Sequence, residues 1–155
     1  MEDLSRLRLE GTDLLLLEMP FMKWSERMID EILAINEQPD ITVLLAHINR
    51  YMRWNRPDLW PYLRREGVLM QINTEFLLDR WKCRTACRML DDGTVAVVGT
   101  DCHNTTSRPP RMAEAIRVLE KRLGEGAGAW LSEQSDRVLR DHRLTGAEAI
   151  GSGES

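Results

Sequence analysis

The sequence of 155 residues predicts an α/β fold of repeated βα units with parallel strands. Four apolar runs, three of them rich in β-branched or leucine residues, have the length of buried strands rather than of helices. Each run is followed by a segment in which apolar residues recur at helical spacing. Because parallel strands must be joined by crossovers, and a helix is the usual crossover, this alternation favours a parallel sheet.

The first unit combines a leucine-rich run with an amphipathic helix. The run Asp13–Met19 ends at Pro20, which cannot donate to a sheet ladder and so predicts the end of the strand. The segment Trp24–Asn36 has apolar residues at helical spacing, and Ser25 is the predicted N-cap. The sequence therefore predicts one buried strand and one helix that covers it.

Three more units follow in the same order. The second strand is Ile41–Ala46, and the short helix Pro57–Arg65 after it is stopped by Gly67. The remaining predicted elements are a strand at Val68–Asn73, a basic helix at Glu75–Leu90, a turn at Asp91–Gly93, a strand at Thr94–Thr100, a helix at Pro110–Leu123, a glycine-rich break at Gly124–Gly128 and a last helix at Trp130–His142.

The composition limits the classes of protein to which the chain can belong. With 43% hydrophobic and 30% charged residues it has the composition of a globular domain, which excludes extensive disorder and a disulfide scaffold. No apolar run approaches the roughly 20 residues needed to cross a bilayer, and the N-terminal segment lacks the pattern of a signal peptide. We therefore expect a cytoplasmic protein without membrane insertion. Its net charge of −4 makes nucleic acid an unsuitable partner.

Positive charge is concentrated in the middle of the chain. Residues 47–111 carry 11 basic and 7 acidic residues, whereas the segments on both sides have a net negative charge. This concentration would suit a phosphate-containing ligand. Solvated helix faces would give the same charge pattern, and charge alone favours that simpler interpretation.

Potential metal ligands stand at the ends of the predicted strands. Glu18 ends the first strand, His47 follows the second, and the fourth leads into Asp101 and His103. In parallel folds the strand ends meet at one edge of the sheet, where functional groups collect. Carboxylate and imidazole groups together suit a divalent Mn, Fe, Zn or Mg ion. Each residue alone could be structural, but the four together favour a metal site. Gln71 and Asn73 end the third strand and add further polar groups.

Two arginines lie shortly after these candidate ligands. Arg50 follows His47, and Arg108 follows His103. A guanidinium group is a planar fork that matches phosphate oxygens, so arginines beside a metal cluster suggest phosphate-ester chemistry. Helix capping or pairing with nearby acids remains the alternative for either arginine taken singly.

The order and spacing of these residues resemble those of a known family. The matching segments are Leu14–Phe21 (LLIEFPF in the family), Leu45–Tyr51 (AHxERY), Gly67–Asn73 (G-x-x-x-Q-I/V-N), Gly99–Asn104 with Arg108–Pro110 (SDxHN…RPP) and Trp130–Gln134 (LTEN). They resemble the bacterial tyrosine phosphatases that regulate capsule and exopolysaccharide synthesis. That family belongs to the PHP (polymerase and histidinol phosphatase) superfamily of distorted (β/α) barrels.

The resemblance implies a trinuclear metal site that hydrolyses phosphotyrosine. Manganese is the usual metal, with Fe, Zn or Mg as alternatives. Glu18, His47, Asp101 and His103 would be metal ligands, and Arg50 and Arg108 would be catalytic residues that hold the phosphoryl group. The further substrate-binding residues would be Asn104 and Tyr51. The implied partner is the phosphotyrosine tail of a bacterial tyrosine autokinase, and the implied chemistry needs no covalent cysteine intermediate.

The ligand set is nevertheless smaller than the resemblance requires. Family members begin with a strand that carries His-x-His, which this sequence lacks. We therefore expect residues 1–148 to be the C-terminal portion of the phosphatase domain, residues 149–155 to be a flexible tail, and the chain to be weakly active or inactive. Exposed sheet edges would favour self-association. The alternatives are a non-catalytic phosphate-binding module and a PHP-type phosphoesterase that acts on a small phosphate monoester.

For some cysteine and tryptophan residues the sequence allows either a structural or a functional role. Cys83 and Cys87 are four residues apart on a predicted helix, where buried structural thiols are favoured over a zinc site. Cys102 lies between two candidate ligands, so its side chain should point away from them. Trp54 and Trp60 are expected to pack against helices, although they could line a pocket for an aromatic ring.

Overall fold

A computed structural model of the chain describes residues 4–100 and 111–144. Its described elements alternate between strands and helices in the predicted order. They are a 3-10 turn at Leu4–Leu7, β1 (Leu14–Leu17), α1 (Glu26–Asn36), β2 (Thr42–Leu45), a 3-10 turn at Ile48–Arg50, α2 (Leu59–Arg65), β3 (Leu69–Asn73), α3 (Thr74–Leu78), α4 (Cys83–Asp91), β4 (Val97–Gly99), α5 (Met112–Leu123) and α6 (Ala127–Asp141).

The four strands form one parallel sheet in the order β1-β2-β3-β4. Leu17 of β1 pairs with Leu45 of β2, and Asn73 of β3 pairs with Gly99 of β4. The prediction of a parallel α/β fold is therefore confirmed. Within the described residues β1 and β4 are the edge strands, and Leu16 on β1 is 45% exposed. The expected self-association through these edges stays a prediction.

The two faces of the sheet are packed differently. Side chains that alternate along the strands, such as Val43, Leu45, Met70 and Ile72, enter a large core beneath the helices. The opposite face has a smaller cluster, formed by Leu14, Leu44, Leu69, Ala96 and, from α6, Val138. Alternation along β1 places Glu18, just after the strand, on this second face.

Two local signals in the sequence act as predicted. The Ser25 hydroxyl accepts a hydrogen bond from the Met28 N–H, so it caps α1. Gly67 has a φ of 90° and ends the α2 segment, because a side chain is strained in that conformation. Ser25 thus fixes where the first crossover helix begins, and Gly67 fixes where the second crossover ends before β3.

The predicted helix Glu75–Leu90 is divided in two by Asp79. The Asp79 carboxylate accepts hydrogen bonds from the backbone N–H groups of Trp81 and Lys82, at 2.8 and 3.0 Å. Asp79 itself has an extended backbone conformation. Its side chain thus competes with the helical backbone and starts a new helix, a local effect that the apolar pattern does not show.

The last helix starts three residues earlier than predicted and includes Gly128. A Cβ atom on Gly128 would lie 2.5 Å from the Ile116 side chain of α5. Glycine here allows α6 to approach α5 closely, so it is a packing residue rather than a helix breaker. No helix in the described ranges is long and apolar enough to cross a membrane.

At the N-terminal edge of the sheet, Asp13 connects three segments. Its carboxylate lies 2.9 Å from Nδ1 of His142 and accepts a hydrogen bond from the Thr42 hydroxyl. Its backbone N–H donates to the His142 carbonyl. These bonds attach the end of α6 beneath β1 and β2, at the edge opposite the candidate site. His142 therefore has a structural contact.

Cys83 and Cys87 are both free and buried, as expected of structural thiols. Burial raises the pKa of the Cys87 thiol, which keeps it protonated near neutral pH. Trp60 is also buried, with its ring edge-on to Trp24 at 5.5 Å between centroids. Trp60 is therefore a core residue, as expected of a tryptophan that packs against helices.

Candidate metal and phosphate site at the strand ends

Glu18 and His47 follow two neighbouring strands at the same edge of the sheet. The backbone N–H of Ala46 donates to the Leu17 carbonyl at 3.0 Å. This bond continues the parallel pairing of β1 and β2 up to Glu18 and His47. The alternation along β1 puts Glu18 on the same face as Leu14, and Glu18 is exposed. The two predicted ligands therefore follow neighbouring strands at the same edge of the sheet.

His47 has an unusual backbone conformation. Its φ of 36° and ψ of 55° are in the left-handed region, which a residue with a side chain seldom adopts. Its side chain is only 6% exposed, and its ring centroid is 5.8 Å from that of Tyr51. Backbone strain of this kind persists where the surrounding structure holds it, and it is concentrated at functional sites.

Tyr51 joins the loops that follow β1 and β2. Its hydroxyl accepts a hydrogen bond from the Met19 N–H at 3.0 Å, and its side chain is fully buried. Burial raises its pKa, the hydrogen bond from Met19 partly opposes that shift, and the nearby Glu18 carboxylate adds to it. Because its hydroxyl is already hydrogen-bonded to the loop after β1, the structure favours a positioning role for Tyr51. The predicted substrate contact of Tyr51 stays a prediction.

The side chains of Asn49 and Asn55, which the motifs do not indicate as site residues, hold these loops together. The Asn49 side chain accepts a hydrogen bond from the backbone N–H of Asn73 at 3.0 Å. Asn55 accepts from the Trp24 N–H and donates to the Tyr51 carbonyl, both at 3.0 Å. The loop that carries His47 and Arg50 is therefore attached to the β1–α1 loop and to β3. The position of Asn49 between His47 and Arg50 is the sequence signal that could have indicated this attachment.

Exposed aromatic groups lie beside the loop of Arg50. Phe21 is 56% exposed and Trp54 is 37% exposed, and their ring centroids are 6.3 Å apart. The guanidinium carbon of Arg53 is 4.9 Å from the centre of the Trp54 ring. We call Phe21, Arg53 and Trp54 the aromatic platform. It is an exposed surface that can contact a ring and a negative charge.

The potential metal ligands among the described residues are of the right chemical type for a divalent ion, but they are too few to hold one. Glu18 offers a carboxylate and His47 an imidazole. Within residues 4–100 and 111–144 no group of three potential ligands is close enough to hold a metal ion. The other predicted site residues, Asp101, His103, Asn104 and Arg108, lie outside the described residues, as do Cys102 and the tail 149–155.

The sequence also contains the spacing of a cysteine-phosphatase motif. Cys102 and Arg108 are separated by five residues, which is the C-x5-R spacing of phosphatases with a cysteine nucleophile. Both residues lie outside the described ranges, and a Cys102→Ser variant separates this chemistry from metal-dependent hydrolysis.

Residues 1–140 match the family described as capsular polysaccharide synthesis, CpsB/CapC. The chain belongs to this family, as the sequence motifs predicted. Among curated proteins it is 30% identical over 115 residues to tyrosine-protein phosphatase CpsB of Streptococcus agalactiae, an alignment that covers 67% of this chain and 47% of that protein. It is 27% identical over 146 residues to tyrosine-protein phosphatase YwqE of Bacillus subtilis, covering 89% of this chain and 56% of YwqE.

A solved structure has the same fold. It comes from work on YwqE from Bacillus subtilis and CpsB from Streptococcus pneumoniae, described as unique metal-dependent tyrosine phosphatases. The match has a TM-score of 0.71 at 24% identity and covers 90% of this chain and 57% of the other. The predicted α/β fold is thereby confirmed, and the chain spans about half the length of the relatives that it matches.

Proposed function

We propose that this chain carries the arginine-bearing half of a metal-dependent phosphotyrosine phosphatase active site. The observation that carries the proposal is the joint position of Glu18, His47 and Arg50 at adjoining strand ends of a chain that belongs to the CpsB/CapC family. The relatives are named tyrosine-protein phosphatases, and the matched structure is described as metal-dependent. Family membership and strand-end chemistry therefore support the same reaction.

Each group has a role that its chemistry allows. Glu18 and His47 would hold a divalent ion together with Asp101 and His103, with manganese as the proposed metal. When bound, such an ion supplies Lewis-acid chemistry and lowers the pKa of water. Arg50 and Arg108 would bind the phosphoryl oxygens and counter the charge that develops on them, with Asn104 as a further polar contact. Tyr51 would hold the loops after β1 and β2 in their relative positions through its hydrogen bond with Met19.

The proposed substrate is the phosphorylated tyrosine tail of a bacterial autokinase that controls capsule or exopolysaccharide synthesis, in the cytoplasm. The aromatic platform supports an aryl phosphate, because it offers a stacking surface for a tyrosine ring beside the loop that carries Arg50. The partial ligand set supports weak activity or none for this chain alone. Residues 1–148 would then be one portion of the complete phosphatase domain.

The test of this proposal is hydrolysis of a phosphotyrosyl peptide by the purified chain, with and without manganese. We expect turnover that is weak at most, depends on manganese, is abolished by a chelator and is unchanged in Cys102→Ser. Metal-independent turnover that Cys102→Ser abolishes would instead establish a cysteine mechanism. Phosphate-dependent peptide binding without any turnover or bound metal would identify a non-catalytic module.

Removal of the aromatic platform should reduce selectivity for aryl phosphates. We expect Phe21→Ala and Trp54→Ala each to lower the ratio of phosphotyrosine to phosphoserine affinity by about 2- to 10-fold, the worth of one aromatic pair. Calorimetric titration with the two phosphoamino acids measures this ratio. Affinity for inorganic phosphate should stay unchanged, since both variants keep Arg50 and Arg53 and remove only an aromatic ring.

Trp81 provides a matched control for this experiment. It is 84% exposed and has the guanidinium carbon of Arg80 5.5 Å from its ring centre, but it lies between α3 and α4. Trp81→Ala should leave the ratio unchanged. Equal losses in Trp54→Ala and Trp81→Ala would contradict the platform, and an unchanged ratio in all variants would favour the small-monoester alternative.

A further inference from the structure

The side chain of Asn73 has a buried donor without a partner. Asn73 is 1% exposed, and its Nδ2 atom has no hydrogen-bond acceptor among the residues that the structure describes. Buried polar atoms are nearly always bonded, because an unpaired one loses the hydrogen bonds that water gave it. An unpaired amide at the end of a strand therefore points to a ligand.

Asn73 lies between the two strands that lead to the candidate site. It is the last residue of β3, and alternation along the strand puts it on the face opposite Met70 and Ile72, which enter the large core. Its backbone N–H is bonded to Asn49, between His47 and Arg50. On the other side it pairs with Gly99 of β4, two residues before Asp101.

A structural role in helix capping does not account for this side chain. Asn73 precedes α3, and asparagine at that position often caps a helix by accepting a backbone hydrogen bond. The Asn73 side chain makes no such bond. An acceptor at the cap would in any case leave Nδ2, a donor, without a partner.

We propose that the Asn73 Nδ2 group donates a hydrogen bond to a phosphoryl oxygen of the ligand held by Arg50. This inference rests on the proposed function, because it assumes a phosphate at the strand ends. Phosphate oxygens accept hydrogen bonds from amide donors, and the bond is strong because the acceptor is charged. In this arrangement the phosphoryl group is bound by two residues. Arg50, on the loop after β2, supplies a cation, and Asn73, at the end of β3, supplies a neutral hydrogen-bond donor.

The test is calorimetric binding of inorganic phosphate to the full chain in metal-free buffer. We expect Asn73→Ala to weaken binding by about 10-fold or more, the value of one hydrogen bond to a charged group. Asn73→Asp has nearly the same shape but places a carboxylate at the phosphate, so it should weaken binding further. Asn73→Ala should lower the melting temperature in phosphate-free buffer only slightly, because it removes the unpaired donor, whereas Asn73→Asp buries a carboxylate and should lower it more.

Asn36 is the matched control at the opposite edge of the sheet. Its side chain accepts from the Val43 N–H at 2.8 Å and donates to the Glu66 carbonyl at 3.2 Å, so both of its polar atoms are bonded. Asn36→Ala should lower the melting temperature and leave phosphate affinity unchanged. The two asparagines should thus separate a binding role from a structural one.

Three outcomes would decide against parts of the proposal. Phosphate affinity unchanged in both Asn73 variants would overturn the role of Asn73, while a loss in Arg50→Ala would keep the proposed function intact. A large drop in melting temperature in Asn73→Ala, with affinity retained by the folded fraction, would assign Asn73 a structural role. No phosphate binding by the unmodified chain would overturn both proposals.

Discussion

Replacement of Tyr51 by alanine is expected to lower the free energy of unfolding by about 3–5 kcal/mol, the usual loss for a large buried aromatic residue. Its ring is fully buried and lies 5.1 Å from that of Trp24 and 5.7 Å from that of Phe21, measured between centroids. The substitution leaves a cavity and releases the hydrogen bond from Met19. Urea denaturation followed by tryptophan fluorescence measures the change.

Two further variants separate the contributions of the Tyr51 ring and hydroxyl. Tyr51→Phe keeps the ring but leaves the Met19 N–H without its acceptor, which should cost about 1–3 kcal/mol. Tyr62→Ala is the control, because Tyr62 is 38% exposed on α2 and should lose much less. A Tyr51→Ala variant no less stable than Tyr62→Ala would contradict the bridging role.

The same hydroxyl should make stability depend on pH. Burial raises the pKa of Tyr51 above its ordinary value near 10, so the unfolded chain releases this proton at a lower pH than the folded chain. The contribution of Tyr51 to stability is therefore complete below that value and decreases as pH rises through the folded pKa. The Tyr51→Phe variant should lose less stability at alkaline pH than the unmodified chain does.

The fold was predictable because the spacing of apolar residues and the residues that mark helix ends indicate the same strands and helices. Ser25 and Gly67 mark helix ends by local backbone chemistry, and both act as expected. The two differences come from contacts that periodicity does not contain. Asp79 divides a helix through its own side-chain bonds, and Gly128 joins a helix because α5 lies against it.

The candidate site was predictable only in part, for a related reason. Residue type and strand position indicate Glu18, His47 and Arg50, since reactive groups gather at the ends of parallel strands. The burial of Tyr51 and the unpaired donor of Asn73 depend on how the loops fold back. Trp60 illustrates the same limit: its residue type suits a pocket, but its neighbours place it in the core.

Arg50 should dominate phosphate binding. We expect Arg50→Ala to weaken the binding of inorganic phosphate by about 10- to 100-fold, because it removes the charged donor nearest to His47 on the loop after β2. Arg50→Lys should recover only part of this loss, since an ammonium group cannot form the two parallel hydrogen bonds of a guanidinium group. Calorimetric titration of the folded variants gives both dissociation constants.

Arg56 is the control on the same loop. Its guanidinium is 3.3 Å from the Asp58 carboxylate, and both side chains are largely exposed, so Arg56→Ala should leave phosphate affinity within about twofold because it removes only a screened surface charge. Equal losses of phosphate affinity in Arg50→Ala and Arg56→Ala would show that phosphate binding depends only on the overall positive charge of the loop. A loss confined to Arg50 would instead require a directed contact. It would distinguish a phosphoryl site at the strand ends from the solvated basic surface that the charge pattern alone favours.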